Sequence, residues 1–504
     1  MKHRIVAAGL VFATLIPSLC VAQISASHHP EPDYALPDSY LERIAALDDA
    51  GPVLNAVIVQ AATAEDAIQS VEDVRGNLFA RSVLVKDNIE TREWPTTAGS
   101  LALNGNATGR DAPLITRLRQ SGGVVLGKTN LSEWANIRSS RSSSGWSAIG
   151  GQTRNPHATD RSPCGSSSGS GAAVAAGLAW AAIGTETDGS ITCPASANGI
   201  VGFKPTVGMV SRTHIIPISH SQDTAGPMAM NVRDAAMLLT AIAGSDPADP
   251  ATADAAEFAR DFTQGLDAAS LAGVRIGVLR AQIGPHEGVA AVFAQALADL
   301  ERAGAVLVDV DYTPDPQMWA DEYTVLLYEL REGLDTYLAG SPADIPVRSL
   351  DDVIAFNRAH AVAEMRWFGQ DIFETAAQTT DAAAYSAARA NSLRLAGAEG
   401  IDRLLAEHDV ALLIAPTEGP AWSIDLVLGD HFTGGIGAGS LAAIAGYPHL
   451  TVPMGAVEGL PVGLSFISHK WSDHRVLQAG AAYERARTAV LPRPRFGPWS
   501  PDGE

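Results

Sequence analysis

The chain has 504 residues, 46% of them hydrophobic and 18% charged, with a net charge of −21 from 56 acids against 35 lysines and arginines. That balance supports a sizeable core and excludes wholesale disorder; its acidity excludes a phosphate-tracking nucleic-acid binder, which needs a basic face. The length allows two or three domains, or one large α/β unit.

The chain begins MKHRIVAAGLVFATLIPSLCVAQ, with Lys2 and Arg4 ahead of an apolar run from Ile5 to Ile16 and a small-residue end at Cys20-Val21-Ala22. This is the layout of a secretory signal peptide, residues 1–22, cleaved after Ala22, and it predicts export to the periplasm or the exterior. The run is shorter than the roughly 20 residues of a spanning helix, so no membrane association is expected once the signal is removed. Cys20 leaves with the signal; Cys164 and Cys193 remain, and they are expected as buried free thiols, although two thiols can pair in an oxidising compartment.

Residues 23–37 read as an exposed leader rich in proline, serine and histidine. A helix is predicted over 39–48, a strand over Asn55–Gln60 and a helix near 64–75. Ser82-Val83-Leu84-Val85 is a buried-strand pattern ending at Lys86-Asp87-Asn88; residues 112–120 suit a helix and Val124–Leu126 a strand. Further apolar strands fall at Val274–Leu279, Ala305–Val310 and Val410–Ala415. The alternation predicts an α/β fold around a largely buried sheet. Residues 38–490 read as a single domain, of which about 245–405 is a helical elaboration; 491–504 read as an irregular tail.

Two motifs mislead. Residues 122–129, GGVVLGKT, satisfy a phosphate-loop pattern, yet Val124-Val125-Leu126 read as a strand where that motif needs a loop of amides. Gly165-Ser166-Ser167-Ser168-Gly169 fits the nucleophile elbow of α/β-hydrolases, but the preceding NPHATDRSPC is no strand. The histidines nearest downstream, His214 and His220, sit in an ordinary polar-apolar mix, and no histidine pair has metal-ligand spacing, so no metal or other cofactor is expected.

The chemistry gathers in SPCGSSSGSG (162–171) and GTETDGSITCP (184–194), joined by GAAVAAGLAWAA (171–182). Alanine is the strongest helix former, so 171–182 is predicted as a helix with the serines at its N-terminus. Gly189 allows a sharp turn, and the amides of Thr187, Asp188, Gly189 and Ser190 are candidates for an oxyanion nest. On their own, the serines cap a helix as readily as they catalyse.

Together these stretches resemble the amidase signature family, whose pattern is a Gly/Ser cluster, a small-residue helix and T-D-x-G-G-S-I, with two key serines 24 positions apart, as Ser166 and Ser190 are. A lysine after a short apolar strand is present at Lys86, and GKTNLSEWA (127–135), FKPTVG (203–208), SQDTAGPMA (221–229) and LTVPMGAVEGLPVGLSF (450–466) also fit. The likeness is concentrated in about 80–230. It implies one α/β/α sandwich around a mixed sheet. It also implies Ser190 as the acylated nucleophile, Ser166 as a bridging serine after a cis peptide bond, and Lys86 as the base.

Two departures stand out: Glu186 where aspartate is usual, and Asp188 for the first of two glycines; Thr192 also replaces a common arginine. These strings resemble the peptide amidases of the family, which release ammonia from a C-terminal peptide carboxamide. The expected substrate is therefore a small peptide or amino-acid amide, with Asp188 repelling a free carboxylate and Asn136 as a candidate amide contact. The alternatives are an amidase of another small-amide class, an ammonia-delivering amidotransferase subunit, an α/β-hydrolase esterase using Ser167, and a binding protein whose serines merely cap a helix. Oligomeric state is not legible.

Overall fold

β-Branched and aliphatic runs build the fold. In the computed structural model, which describes residues 37–69 and 76–501, they form one sheet of eleven strands and a second of two. The strands are β1 (Val57–Gln60), β2 (Ser82–Lys86), β3 (Val124–Thr129), β4 (Trp146–Ser147), β5 (Gly151–Gln152), β6 (Ala181–Glu186) and β7 (Val201–Lys204). They continue as β8 (Thr224–Ala229), β9 (Arg275–Leu279), β10 (Val306–Val310), β11 (Leu412–Pro416), β12 (His449–Val457) and β13 (Leu460–Ile467). In the large sheet the order is β1-β3-β2-β6-β8-β7-β12-β13-β11-β9-β10. It is mixed: β3, β2 and β6 run parallel, as do β11, β9 and β10, around an antiparallel centre.

Successive side chains of a strand point to opposite faces, and both faces are covered. Val83 and Val85 pack with Leu114, Ile115 and Leu118 of the Pro113–Gln120 helix, whereas Leu84 packs with Ala172, Ala173 and Val174 of the Ser168–Ala175 helix. This is the expected α/β/α sandwich around a mixed, largely buried sheet. Lys86 shares the parity of Leu84, so the strand's pleat turns it toward the face that carries the serine cluster.

The helices predicted at 39–48 and 112–120 appear as Pro37–Leu47 and Pro113–Gln120, and the predicted strands appear within a residue or two, except that Val124–Leu126 runs on to Thr129. Near 64–75 the helix is Ala64–Ile68, and residues 70–75 lie outside the described residues, as do the signal peptide and nearly all of the leader. The 245–405 segment is tied into the fold, since it supplies β9 and β10 to the large sheet. Residues 491–501 carry no regular element but are pinned: Trp499 donates its amide to Asp160 Oδ1 (2.7 Å) and its indole N–H to the Glu458 carbonyl (3.0 Å). Among the described residues no helix is long and apolar enough to cross a membrane.

One expectation needs correcting. The helix predicted over 171–182 runs instead over Ser168–Ala175; Gly177 turns the chain at φ +68, and Ala181–Glu186 is β6. Pairing Ala181 with Val83 and Ala182 with Leu84 across the parallel β2–β6 ladder overrides alanine's helix propensity. GGVVLGKT is also settled as no phosphate loop, because Val124–Thr129 is β3 throughout.

Beside Lys86 runs a buried ion pair. Lys128 Nζ donates to Asp87 Oδ1 (2.8 Å) and Thr96 Oγ1 (3.0 Å), and both charged residues are essentially inaccessible. Removing one partner strands a buried charge, which typically costs about 3–5 kcal/mol. Lys128→Met is therefore expected to lower the urea-unfolding free energy by about that amount, and adding Asp87→Asn to recover a substantial part of it.

Candidate active site

β2 and β6 are parallel neighbours, with Val85 beside Ile183, so their carboxyl ends open at one edge of the sheet. Ligand sites of α/β sheets collect at such edges. β2 delivers Lys86 there, β6 delivers Thr185 and Glu186, and the loop after β6 carries Thr187, Asp188, Gly189 and Ser190.

Lys86 is fully buried, and its Nζ donates to Ser166 Oγ (2.8 Å), Thr185 Oγ1 (2.9 Å) and the Thr185 carbonyl (3.1 Å). Burial disfavours the charged ammonium and draws its pKa from 10.5 down to about 7, against the opposing pull of Asp223 and Glu186. The lysine therefore holds a proton weakly at neutral pH while facing a serine hydroxyl. The Gly165–Ser166 peptide bond is cis, as the resemblance implied.

The two serine segments meet directly. Ser167 donates its amide to the Ser190 carbonyl (3.1 Å), and the Ser166 carbonyl accepts from the Ser132 amide (3.0 Å). Ser166 is 1% exposed and Ser190 9%, so the site places its more accessible hydroxyl on Ser190. Glu186 fixes the chain just beyond: its Oε2 accepts from the amides of Ile191 (2.7 Å) and Thr192 (2.9 Å) at the start of the Thr192–Ala197 helix.

Ser167 is not available for an esterase mechanism. Its Oγ donates to the Thr185 carbonyl (3.0 Å), accepts from the Thr185 amide (3.2 Å) and is fully buried, with no histidine among its partners. It ties the Ser168–Ala175 helix to β6.

The amides of Thr187, Asp188, Gly189 and Ser190 donate to no other described residue, so four consecutive N–H groups remain for a developing oxyanion. Gly189 sits at φ +80, yet a methyl group there would meet nothing within 4 Å, so the backbone conformation, not space, requires glycine. Thr187 Oγ1 donates to Asp223 Oδ1 (2.6 Å), whose other oxygen accepts from the Ile218 and Ser219 amides, anchoring the loop from below.

A cavity of 480 Å³ adjoins this loop, walled by Ile215, Ile216, Pro217 and Ile218 and floored by Asn88, Thr185, Thr187 and Asp223. Ala135 lines it too; its neighbour Asn136 stands at φ +73, and Asn136 Oδ1 is buried without a hydrogen-bond partner among the described residues.

Sequence reasoning missed the acids contributed by distant segments. Glu322 hydrogen-bonds Asp188 and accepts from Gln222 Nε2 (2.8 Å), and burial followed by the nearby Asp188 charge raises its pKa well above the usual range. Burial, with the charge of Asp188 adding, lifts Glu418 to about 7, and burial lifts Asp188 itself to about 6. Glu322 lies in the long Gln317–Gly340 helix and Glu418 follows β11, positions without a local signal; Thr185 and Asp223 were inside quoted motifs but unassigned.

The cysteines also depart from expectation. Cys164 and Cys193, expected as free thiols, form a disulfide. Their separation of 29 residues in sequence hides that both loops converge on one site.

The buried Lys86–Ser166 contact, the neighbouring loop of unpartnered amides and the α/β/α sandwich together point to the amidase family. The chain belongs to that family: residues 36–477 match the family described as Amidase, and the protein is an amide-hydrolysing enzyme. A probable amidase of Arabidopsis thaliana is 36% identical over 482 residues, covering 92% of this chain and 88% of that one. The native peptide amidase of Stenotrophomonas maltophilia is 51% identical at a TM-score of 0.86, over 92% of this chain and 95% of that one. A peptide amidase in complex with the competitive inhibitor chymostatin is likewise 51% identical, with a TM-score of 0.87 over 92% and 96% of the two chains.

Any side chain at position 189 forces a left-handed residue, at a cost of about 1–2 kcal/mol. Gly189→Ala is expected to lower kcat about tenfold while the thermal midpoint changes by no more than a few degrees. Steady-state kinetics beside a melting curve check both.

Proposed function

We propose that Lys86, Ser166 and Ser190 form a catalytic triad that hydrolyses the C-terminal carboxamide of small peptides, or amino-acid amides, to a carboxylate and ammonia. The contact from Lys86 Nζ to Ser166 Oγ, at a lysine lowered to about 7, carries this reading. Neutral Lys86 accepts the Ser166 proton as Ser166 takes that of Ser190, and Ser190 Oγ attacks the carboxamide carbon. The tetrahedral oxyanion is held by amides of the 187–190 loop, each donor contributing roughly 3 kcal/mol. The proton returns through Ser166 to the leaving nitrogen, ammonia departs, and water, activated by the same relay, frees the acyl group from Ser190.

Two features support a carboxamide over a free carboxylate: Asp188 lies two residues before Ser190, and the solved relatives named above include peptide amidases. The unpartnered Asn136 Oδ1 is the candidate acceptor for an amide N–H of the substrate. We also propose that the enzyme is exported. The signal-like N-terminus and the disulfide both fit an oxidising compartment, and N-terminal sequencing of the exported protein is expected to begin at Gln23.

Ammonia release from an amidated dipeptide tests the triad. Ser190→Ala is expected to lose at least about 10⁴-fold in kcat and Lys86→Ala about 10²–10⁴-fold. Activity that survives loss of Ser190 refutes the assignment. Because Lys86 works as its neutral form, kcat/KM is expected to rise with pH through about 7 and then level off. The wild type is expected to leave a dipeptide with a free C-terminus uncut and Asp188→Asn to gain measurable cleavage; equal cleavage by both removes Asp188 from the selectivity.

A further inference from the structure

The disulfide lies where the catalytic geometry is set. Cys164 is two residues before Ser166, and Cys193 is three after Ser190, in the Thr192–Ala197 helix whose N-terminus Glu186 caps. Cys164 stands at φ +56, a left-handed conformation that a residue with a Cβ adopts at a cost of about 1–2 kcal/mol unless its surroundings hold it there. That turn feeds the chain directly into Gly165 and Ser166. The Cys193 amide donates back to the Gly189 carbonyl (2.8 Å), so the far end of the bridge is fastened to the oxyanion loop.

The other ties between the two segments are hydrogen bonds. Asn198 Nδ2 donates to the Pro163 carbonyl (2.9 Å), and the Ser167 amide to the Ser190 carbonyl. The Cys164 carbonyl accepts from Ser168 Oγ (2.6 Å), a contact within its own segment. The covalent bridge is what joins the side chain of the strained turn before Ser166 to the helix after Ser190.

We propose that the Cys164–Cys193 disulfide is a positioning element of the catalytic site: it holds Ser166 in register between Lys86 and Ser190, so that turnover, and not only stability, depends on the oxidised bond. This rests on the triad reading given above. Lys86 owes its depressed pKa to burial at the end of β2, which the bridge does not touch. Loss of the bridge therefore lowers kcat without moving the pH midpoint. Cys164 is 5% exposed and Cys193 is partly accessible, so a small dithiol reaches the bond from the Cys193 side. Reduction transfers two electrons and two protons from the dithiol to the S–S bond, giving two thiols and a cyclic disulfide of the reductant.

The test compares the wild type, the Cys164→Ser/Cys193→Ser double variant, and wild type reduced with dithiothreitol and then reoxidised. Each is assayed on an amidated dipeptide at a temperature at least 15 °C below its own melting midpoint, with folding confirmed by circular dichroism. A displacement on the ångström scale costs about 10–100-fold in rate. The expected result is a kcat lower by that factor in both bridge-free forms, KM within about twofold, an unchanged pH midpoint and recovery on reoxidation. Labelling of Ser190 by a fluorophosphonate is expected to slow in parallel. Unchanged kcat in a folded form with both thiols free overturns the proposal, and so does a loss that disappears once the assay is moved below the melting transition. If the double variant fails to fold, the reduced wild type decides. Ser190→Ala, run alongside in the oxidised state, isolates the triad reading: activity persisting there refutes the triad whatever the bridge does.

Discussion

Burying one ammonium group is the constraint from which the site follows. An isolated charge inside a protein either finds partners or gives up its proton. At the end of β2, Lys86 finds only neutral acceptors in contact, the hydroxyls of Ser166 and Thr185 and one carbonyl, while the carboxylates of Asp223 and Glu186 act from farther away. The sandwich supplies the burial, since helices cover both faces of the sheet and leave the strand end dry. A lysine one position earlier or later would face the opposite layer and meet none of these groups.

The neighbouring Lys128 solves the same problem by the opposite route. It lies on the adjacent strand, equally buried, and pairs directly with Asp87. One lysine is thus paired with a carboxylate within hydrogen-bond reach, and the other has none in contact. That contrast leaves Lys128 in an ion pair and Lys86 with a pKa drawn down to about 7, although both follow short apolar strand runs in the sequence.

Around the lysine, the serine loops are over-determined: the Ser167–Ser190 backbone contact, the Glu186 cap, the Asp223 anchor and the disulfide converge within a few residues of the two hydroxyls. Within this framework the amides of the 187–190 loop donate to no other described residue. The acids near Asp188 come from remote segments, and burial raises the pKa of each.

Much of this was legible in the residues. The strand ending at Lys86 followed from an apolar run, Gly189 from the sharp turn it allows, and the unsuitability of GGVVLGKT as a phosphate loop from the strand pattern at its centre. Where reasoning failed, it failed on long-range contacts. Alanine at 181 and 182 favours helix locally, and only the ladder with β2 makes it strand. Cys164 and Cys193 looked like separate thiols because nothing in a linear chain says that two loops meet. Ser167, kept as an alternative nucleophile, has its hydroxyl bound to the backbone of Thr185. The sequence by itself determined which groups are available: lysines after apolar strand runs, serines among glycines, and an acid in place of a glycine. Tertiary structure alone decided which of them are buried, which are paired and which remain free to react, because burial and pairing are properties of contacts between segments far apart in the chain.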